Sequence, residues 1–334
     1  MPGSVSHDLT TNAIPYPPSP EMLVAMAQEV AHANEYPDAR SAELSATLAA
    51  RLGVPADRLL VGPGSAALCQ LLLMTVAGPG DQIVYPWPSF EDYPAMIGHA
   101  GAMGVAVPLR EHGIDLDAMA AAITTRTRAV LLCNPNNPTG TALDGPRLAA
   151  FLAAVPAHVL VVVDEAYRDF VTDPGFQDAW SLASPAGGLC VLRTFSKAYG
   201  LAGLRVGYLV GPRALTARLR TMMPLFSVGS PGQAAALAAL TDEFTHAVEK
   251  RCGEIAAERD RLATMLRAQG WQLPRSQGNF VWLPVRNRSE ELAAFFLRRN
   301  VLVRVYPGEG VRITVTDSQI VNLVARIAAA YLLA

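Results

Sequence analysis

The chain reads as an α/β protein: a large domain on a mostly parallel seven-stranded sheet flanked by helices, joined to a small α+β domain. Three observations predict this. Seven short apolar runs, at 59–61, 82–85, 104–109, 129–133, 159–163, 189–193 and 206–210, alternate with stretches at helical spacing. Buried strands separated by helices build a sheet covered on both faces. Past the seventh run the order changes to long helix followed by strands at 280–285, 301–305 and 311–316. Finally, 51 % hydrophobic and 17 % charged residues in a chain of 334 supply core for more than one domain.

Taken in order, residues 1–20 are proline-rich and end in Pro15-Tyr16-Pro17-Pro18-Ser19-Pro20, an extended arm packed on something else, because these prolines cannot join a helix. Helical spacing follows at 21–33 and again at 39–52, after the break Tyr36-Pro37-Asp38. Between the seven strand-like runs, helices are expected at 65–76, 92–101 and 143–154, and beyond Lys197 only after a loop. The segment 231–268 reads as long helix broken near Asp242, and helices at 290–300 and 317–333 complete the last third. The large domain is expected at 38–225, with 1–37 and 226–334 forming the small one.

The formal charge of −2 lacks the basic excess that a phosphate-backbone binder needs, so no nucleic-acid partner is expected. Cys69, Cys133, Cys190 and Cys252 stand apart, with no Cys/His pairing at ligand spacing, so no metal is expected and reduced thiols are. The N-terminus has prolines and polar residues where a signal peptide needs an apolar run, and no apolar run approaches the ~20 residues of a membrane span. A cytoplasmic protein with no membrane partner is the expectation.

The most informative local feature is Lys197, one of two lysines among 27 basic residues, in Arg193-Thr194-Phe195-Ser196-Lys197-Ala198-Tyr199-Gly200. Arginine keeps its proton to above ~12, whereas a lysine amine can be tuned into a nucleophile or base. Two other strand ends carry chemistry. Asn134-Pro135-Asn136-Asn137-Pro138-Thr139-Gly140 follows the run 129–133, and open α/β sheets place ligands at the carboxyl ends of strands. Asp164-Glu165-Ala166-Tyr167 follows the very apolar run 159–163; a buried carboxylate there needs a cation or strong donors, unless it merely caps a helix.

Pyridoxal phosphate needs this inventory: an amine for a Schiff base, a carboxylate for its pyridine nitrogen, donors to its ring oxygen, and an anion site. Lys197 supplies the first and Asp164 the second, while Asn137 and Tyr167 can supply the third. Arg205, Thr194 and Ser196, with the loop Gly62-Pro63-Gly64-Ser65-Ala66 leading into a helix, can supply the fourth, because a helix N-terminus offers free N–H groups to a phosphate.

With these motifs in this order, and Lys197 and Arg205 eight residues apart, the sequence resembles a fold-type I aminotransferase of the histidinol-phosphate aminotransferase-like group. The likeness runs from Leu9 through Gly278-Asn279-Phe280 to Thr314. It implies an aspartate aminotransferase-like fold and transfer of an amino group between an amino acid, or an amino phosphate such as histidinol phosphate, and a 2-oxo acid. It further implies that Lys197 holds the cofactor and shuttles the substrate proton, Asp164 pairs with the ring nitrogen, and Tyr167 and Asn137 bond the ring oxygen. Phe90 falls where the family stacks an aromatic ring on the cofactor, although core packing would also explain it. Tyr36 matches a tyrosine that reaches the neighbouring subunit's phosphate, so a homodimer is implied. Arg312 matches the arginine that clamps a substrate anion, and Arg304, on the preceding strand, points to a second anion contact, its other reading being an outward-facing polar residue. Tyr16 and Asn279 match further pocket positions.

The chain departs from the group in carrying Ala13, Ala66 and Ala67 where histidinol-phosphate aminotransferases usually have acidic residues, and in a short connection from Arg304 to Arg312. The substrate pocket is therefore altered, which leaves aromatic or other amino acids open. Two alternatives share the motifs: a decarboxylase of the threonine-phosphate decarboxylase type, and a non-catalytic ligand-sensing domain, against which the lack of a spare N-terminal segment speaks.

Overall fold

A computed structural model describes residues 7–182 and 188–333; the first six residues of the expected arm lie outside them. In chain order the elements are β1 (His7–Leu9), α1 (Pro20–Val30), α2 (Ala42–Leu52), β2 (Leu59–Gly62), α3 (Ser65–Val76), β3 (Gln82–Trp87), α4 (Tyr93–His99), β4 (Met103–Pro108), α5 (Leu116–Ala121), β5 (Thr127–Cys133) and α6 (Gly145–Ala154). Then come β6 (Leu160–Asp164), β7 (Leu189–Thr194), β8 (Gly207–Val210), α7 (Arg213–Met222), α8 (Ser230–Ala238), α9 (Asp242–Ala268), β9 (Phe280–Leu283), α10 (Ser289–Leu297), β10 (Val301–Tyr306), β11 (Gly310–Thr314) and α11 (Ser318–Leu332).

Seven strands form one sheet in the order β2-β8-β7-β6-β5-β3-β4. Only β8 runs against its neighbours β2 and β7, so the sheet is mostly parallel, as expected. Its central strands are apolar without alternation because both faces are covered: Val130, Leu131, Leu132, Val162, Val163 and Leu192 are all buried. The chain moves outward from β3 to β4, then returns to β5 and proceeds the other way through β6 and β7. That reversal opens a crevice at the carboxyl ends of β5, β6 and β7, where ligands of such sheets sit.

A second sheet, β1-β10-β11-β9, is antiparallel except for β1, which the N-terminal arm adds alongside β10. The arm therefore adds a strand to the smaller sheet, which is what the extended arm packs on. Helix starts carry local chemistry. Pro20 follows the capping Ser19, Pro146 follows Asp144, whose carboxylate accepts from Arg147 N, and Asp317 accepts from Gln319 N and Ile320 N. The break expected near Asp242 is real: α8 ends before Leu240, and α9 starts after Thr241 with Asp242 and Glu243 in its first turn. Two expectations shift. The helix expected at 21–33 stops at Val30, and α5, capped by Asp115, was not foreseen because its apolar period lasts under two turns.

Helix α9 is anchored by a buried arginine. Arg259 is 1 % exposed and donates to Phe170 O at 3.0 Å, Gly278 O at 3.1 Å, Thr172 Oγ1 at 3.2 Å and Asp260 Oδ1 at 2.9 Å. It ties the loop after β6 to the loop before β9.

Candidate active site

Three adjacent strand ends and two strands of the second sheet converge on a cavity of about 410 Å³. At the end of β5, the asparagines divide their work. Asn134 Oδ1 accepts from Leu143 N at 2.8 Å, and Asn136 bonds Ser89 Oγ at 2.7 Å and Thr139 Oγ1 at 2.9 Å. Those two fasten the loop, and Asn137 alone lines the cavity. Its Oδ1 accepts from Tyr306 OH at 3.2 Å and from Arg312 Nη1.

At the end of β6, Asp164 is buried, and the hydrogen bond its side chain makes among the described residues comes from Ala166 N at 3.1 Å. Burial pushes its carboxyl up to about 6, with Glu165 adding to the rise, while the Ala166 N–H and Lys197 pull against it. Tyr167 is buried beside it, its hydroxyl accepting from Asn12 Nδ2 at 3.0 Å. Burial raises that phenol to about 12.

Beyond β7, Lys197 Nζ donates to Thr11 O at 2.7 Å. Burial brings the amine down to about 8, helped by Arg312 and Arg205 and opposed by Asp164. A lysine so lowered has an appreciable neutral fraction near neutral pH and can act as nucleophile or base. Thr194 Oγ1 donates to Ser196 Oγ at 2.9 Å, and Arg205 Nη1 donates to Ser196 Oγ at 3.2 Å and Ala202 O at 2.9 Å. Ser65 and Ala66, at the start of α3, line the cavity beside this group. Gly64 precedes them at φ 92°, and a Cβ there would collide with the Arg205 guanidinium. Only glycine allows both the backbone setting and that approach.

From the second sheet come Arg304 and Arg312, directly opposite each other on β10 and β11. Arg312 is 4 % exposed and among the described residues bonds only neutral oxygens, Asn137 Oδ1, Tyr306 OH and Thr10 O, with no partner there for its Nε. Arg304 is paired with Glu91, Nε to Oε2 at 3.0 Å and Nη2 to Oε1.

The cavity thus gathers Lys197, Asp164, Asn137, Tyr167, Phe90, Ser65, Ala66, Thr194, Ser196, Arg205, Arg304 and Arg312 from the expected set. Gly64 falls just outside the lining, one residue before Ser65, and three expected residues lie elsewhere. Tyr16 turns to α9, under the Arg251 guanidinium at 5.3 Å, rather than into the cavity. Asn279 is buried behind the wall, donating to Asn12 O at 3.1 Å, so its contact with the site runs through the arm. Tyr36 is 83 % exposed and stacks on Phe226 with centroids 4.7 Å apart, away from this chain's cavity. The residues the sequence reading missed are Thr10 and Thr11 of the arm, Glu91 and Asp92 after Phe90, and Tyr306. Thr10 and Thr11 carry no motif of their own within the arm, and Glu91 has no local signal, since its partner is 213 residues away.

The donor set fits pyridoxal phosphate. An under-bonded buried carboxylate, an amine with lowered pKa, and a hydroxyl–guanidinium cluster at a helix N-terminus flank one cavity, and a buried guanidinium lacks a carboxylate. Among the described residues no cluster of His, Cys, Asp and Glu could hold a metal ion, and no helix is long and apolar enough to cross a membrane.

Comparison with known proteins agrees. The profile of the family described as "Aminotransferase class I and II" matches residues 6–327. An "Aromatic amino acid aminotransferase" of Streptomyces avermitilis is 45 % identical over 95 % of this chain and 88 % of its own length. One of Corynebacterium diphtheriae is 47 % identical over 93 % of this chain and 89 % of its own. The histidinol-phosphate aminotransferase of Sinorhizobium meliloti in complex with pyridoxal-5'-phosphate superposes with a TM-score of 0.90 at 25 % identity, covering 98 % of this chain and 92 % of that one. Aspartate aminotransferase of Thermus thermophilus, at 23 % identity and a TM-score of 0.85 over 97 % of this chain and 91 % of that one, shares the fold. The fold is that of the aspartate aminotransferase-like, fold-type I enzymes, and the chain belongs to the class I and II aminotransferases, enzymes that depend on pyridoxal phosphate.

Proposed function

We propose that this aminotransferase moves the amino group of an aromatic amino acid to a 2-oxo acid, with Lys197 as its proton-transfer residue. The observation that carries the reading is a half-buried amine, lowered to about 8, just past the end of the strand next to Asp164. The aromatic preference draws on the names of relatives 45–47 % identical over nearly the whole chain, and on the departures of Ala13, Ala66 and Ala67 from the histidinol-phosphate pattern.

Bound pyridoxal phosphate supplies an electron-withdrawing ring that makes the substrate's α-proton removable. The chain's residues do the rest. Asp164 holds a proton on the ring nitrogen. Asn137 and Tyr167 would bond the ring oxygen, and Phe90 would pack on the ring. Arg205, Thr194, Ser196 and the Gly64-Ser65-Ala66 turn would hold the phosphate, with hydroxyl and backbone N–H donors beside one guanidinium. Arg312 clamps the substrate carboxylate through its planar fork, which replaces its present neutral partners with a charge. Lys197 then takes the α-proton and returns it at the other end of the exchange, a task suited to an amine titrating near working pH.

In this reading the large domain spans 38–225 and the small one 1–37 with 226–334, consistent with the seven-stranded sheet lying within 59–210. The enzyme works as a homodimer in the cytoplasm, Tyr36 reaching the phosphate of the neighbouring site. Its exposed ring, which does not line the cavity of its own chain, supports that role.

The test is a spectral and product screen of the holoenzyme. Phenylalanine is expected to convert the visible cofactor band and, with 2-oxoglutarate, to yield phenylpyruvate with a kcat/KM at least about tenfold above that for histidinol phosphate. Carbon dioxide in place of the oxo acid, or a preference for histidinol phosphate, overturns the reading.

A further inference from the structure

Arg304 and Arg312 face each other across β10 and β11, so both guanidinium groups project from the same side of the sheet into the cavity. Their partners differ in kind. Arg312 is buried, bonds neutral oxygens and keeps an unpartnered Nε. Arg304 has 44 % of its side chain exposed and holds the Glu91 carboxylate through two N–H groups. One guanidinium is thus reserved for an incoming carboxylate, while the other already has one.

We propose that Glu91 is a specificity-determining residue, an internal carboxylate that occupies Arg304 in the manner of a substrate's second anionic group. The inference rests on the reading of the Lys197 cavity as an amino-acid site. A substrate with a single carboxylate and a neutral side chain engages Arg312 and leaves the Glu91–Arg304 pair intact, its side chain lying by Phe90, the residue before Glu91. A ligand with a second anionic group, a dicarboxylate or a phosphorylated amine, gains Arg304 only by displacing Glu91. The displaced carboxylate stays beside Asp92, which also lines the cavity and whose carboxyl is already raised by burial and then by Glu91. Displacement therefore replaces an attraction with a repulsion. Because the pair is partly exposed (44 % and 30 % of the two side chains), the penalty is modest: enough to rank substrates, and small enough to let an acidic acceptor in. An aminotransferase that takes its amino group from an aromatic donor and gives it to an acidic oxo acid needs both states.

The experiment is calorimetric titration of the holoenzyme with two unreactive ligands, 3-phenylpropionate (one carboxylate) and glutarate (two). Glu91→Gln keeps the shape and removes the competing charge. It is expected to shift the ratio of the two Kd values about tenfold in favour of glutarate. Arg304→Gln is expected to shift the ratio the other way, and in the double variant the gain from Glu91→Gln disappears. An unchanged ratio in Glu91→Gln, or a gain that survives in the double variant, overturns the proposal. If Glu91→Gln does not fold, Arg304→Gln alone decides, since glutarate affinity indifferent to that change leaves Arg304 no anion to bind. No turnover is required, so a failure of phenylalanine to react strikes the proposed function and not this gate.

Discussion

Asp164 and Glu165 are neighbours in sequence and both are buried at the end of the same strand, but they belong to polar regions of opposite character. Glu165 sits in a closed network. Its Oε2 accepts from Arg193 Nε at 2.9 Å and Nη2 at 2.7 Å, and its Oε1 accepts from Ala179 N at 2.8 Å. Arg193 also reaches Asp178 at 2.6 Å and stacks on Trp180 at 3.7 Å, while Arg168 binds Asp178 at 2.7 Å. Glu165, Asp178, Arg168 and Arg193 each have a charged partner there. Around Asp164 the balance is left open: the carboxylate takes one backbone N–H, Lys197 donates to a carbonyl, and Arg312 has no carboxylate. Buried charge without full pairing is unfavourable in the cofactor-free protein. A region that keeps it is prepared for a ligand that supplies what is missing.

The contrast predicts opposite responses to charge removal. The largest effect is expected at Lys197→Ala, where turnover falls by about 10⁴-fold or more. Stability of the cofactor-free protein, read by urea unfolding, should hold or rise, because the amine is depressed to about 8 and its burial cost is therefore present at lower pH. A large loss of stability would place Lys197 in the closed class.

Next is Arg193→Met, which strands Glu165, whose side chain is 0 % exposed. A loss of about 3–5 kcal/mol in urea unfolding is expected, and a loss below about 1 kcal/mol would erase the distinction between the two regions.

The smallest is Asp164→Asn in the cofactor-free protein. The folded carboxyl is raised to about 6 from 3.8, so its burial costs stability above pH 6. The cost is relieved as pH falls from 6 towards 4, where the folded form takes up the proton first. The variant is expected to be more stable by about 1–2 kcal/mol at pH 8 and to lose that advantage by about pH 4. An advantage that grows on acidification would have the wrong sign.

Particular residues show how far the sequence could be read. The strand ends at 133, 163 and 193 were legible because the apolar runs before them are local, and Asn137, Asp164 and Lys197 lie close beyond them. Asn134 and Asn136 share the turn with Asn137, the one asparagine the sequence reading singled out, and they fasten the loop through Leu143 and Ser89. Nothing in their spacing distinguishes them, because the choice depends on which way each side chain leaves the turn. Tyr16 shows the reverse: a motif match that packing redirects towards α9.

By itself, then, the sequence determined the α/β class, the cofactor and the residues at the strand ends, because periodicity and strand-end chemistry are local properties of the chain. Only the tertiary structure decided which charges are satisfied. Arm residues Thr10 to Asn12 meet Arg312, Lys197 and Tyr167, Arg259 ties two loops to α9, and Glu91 closes on Arg304. These pairings join segments far apart in sequence, and a hydrogen bond between distant side chains leaves no period or spacing to read. Such contacts separate a guanidinium that holds the fold from one that waits for a substrate.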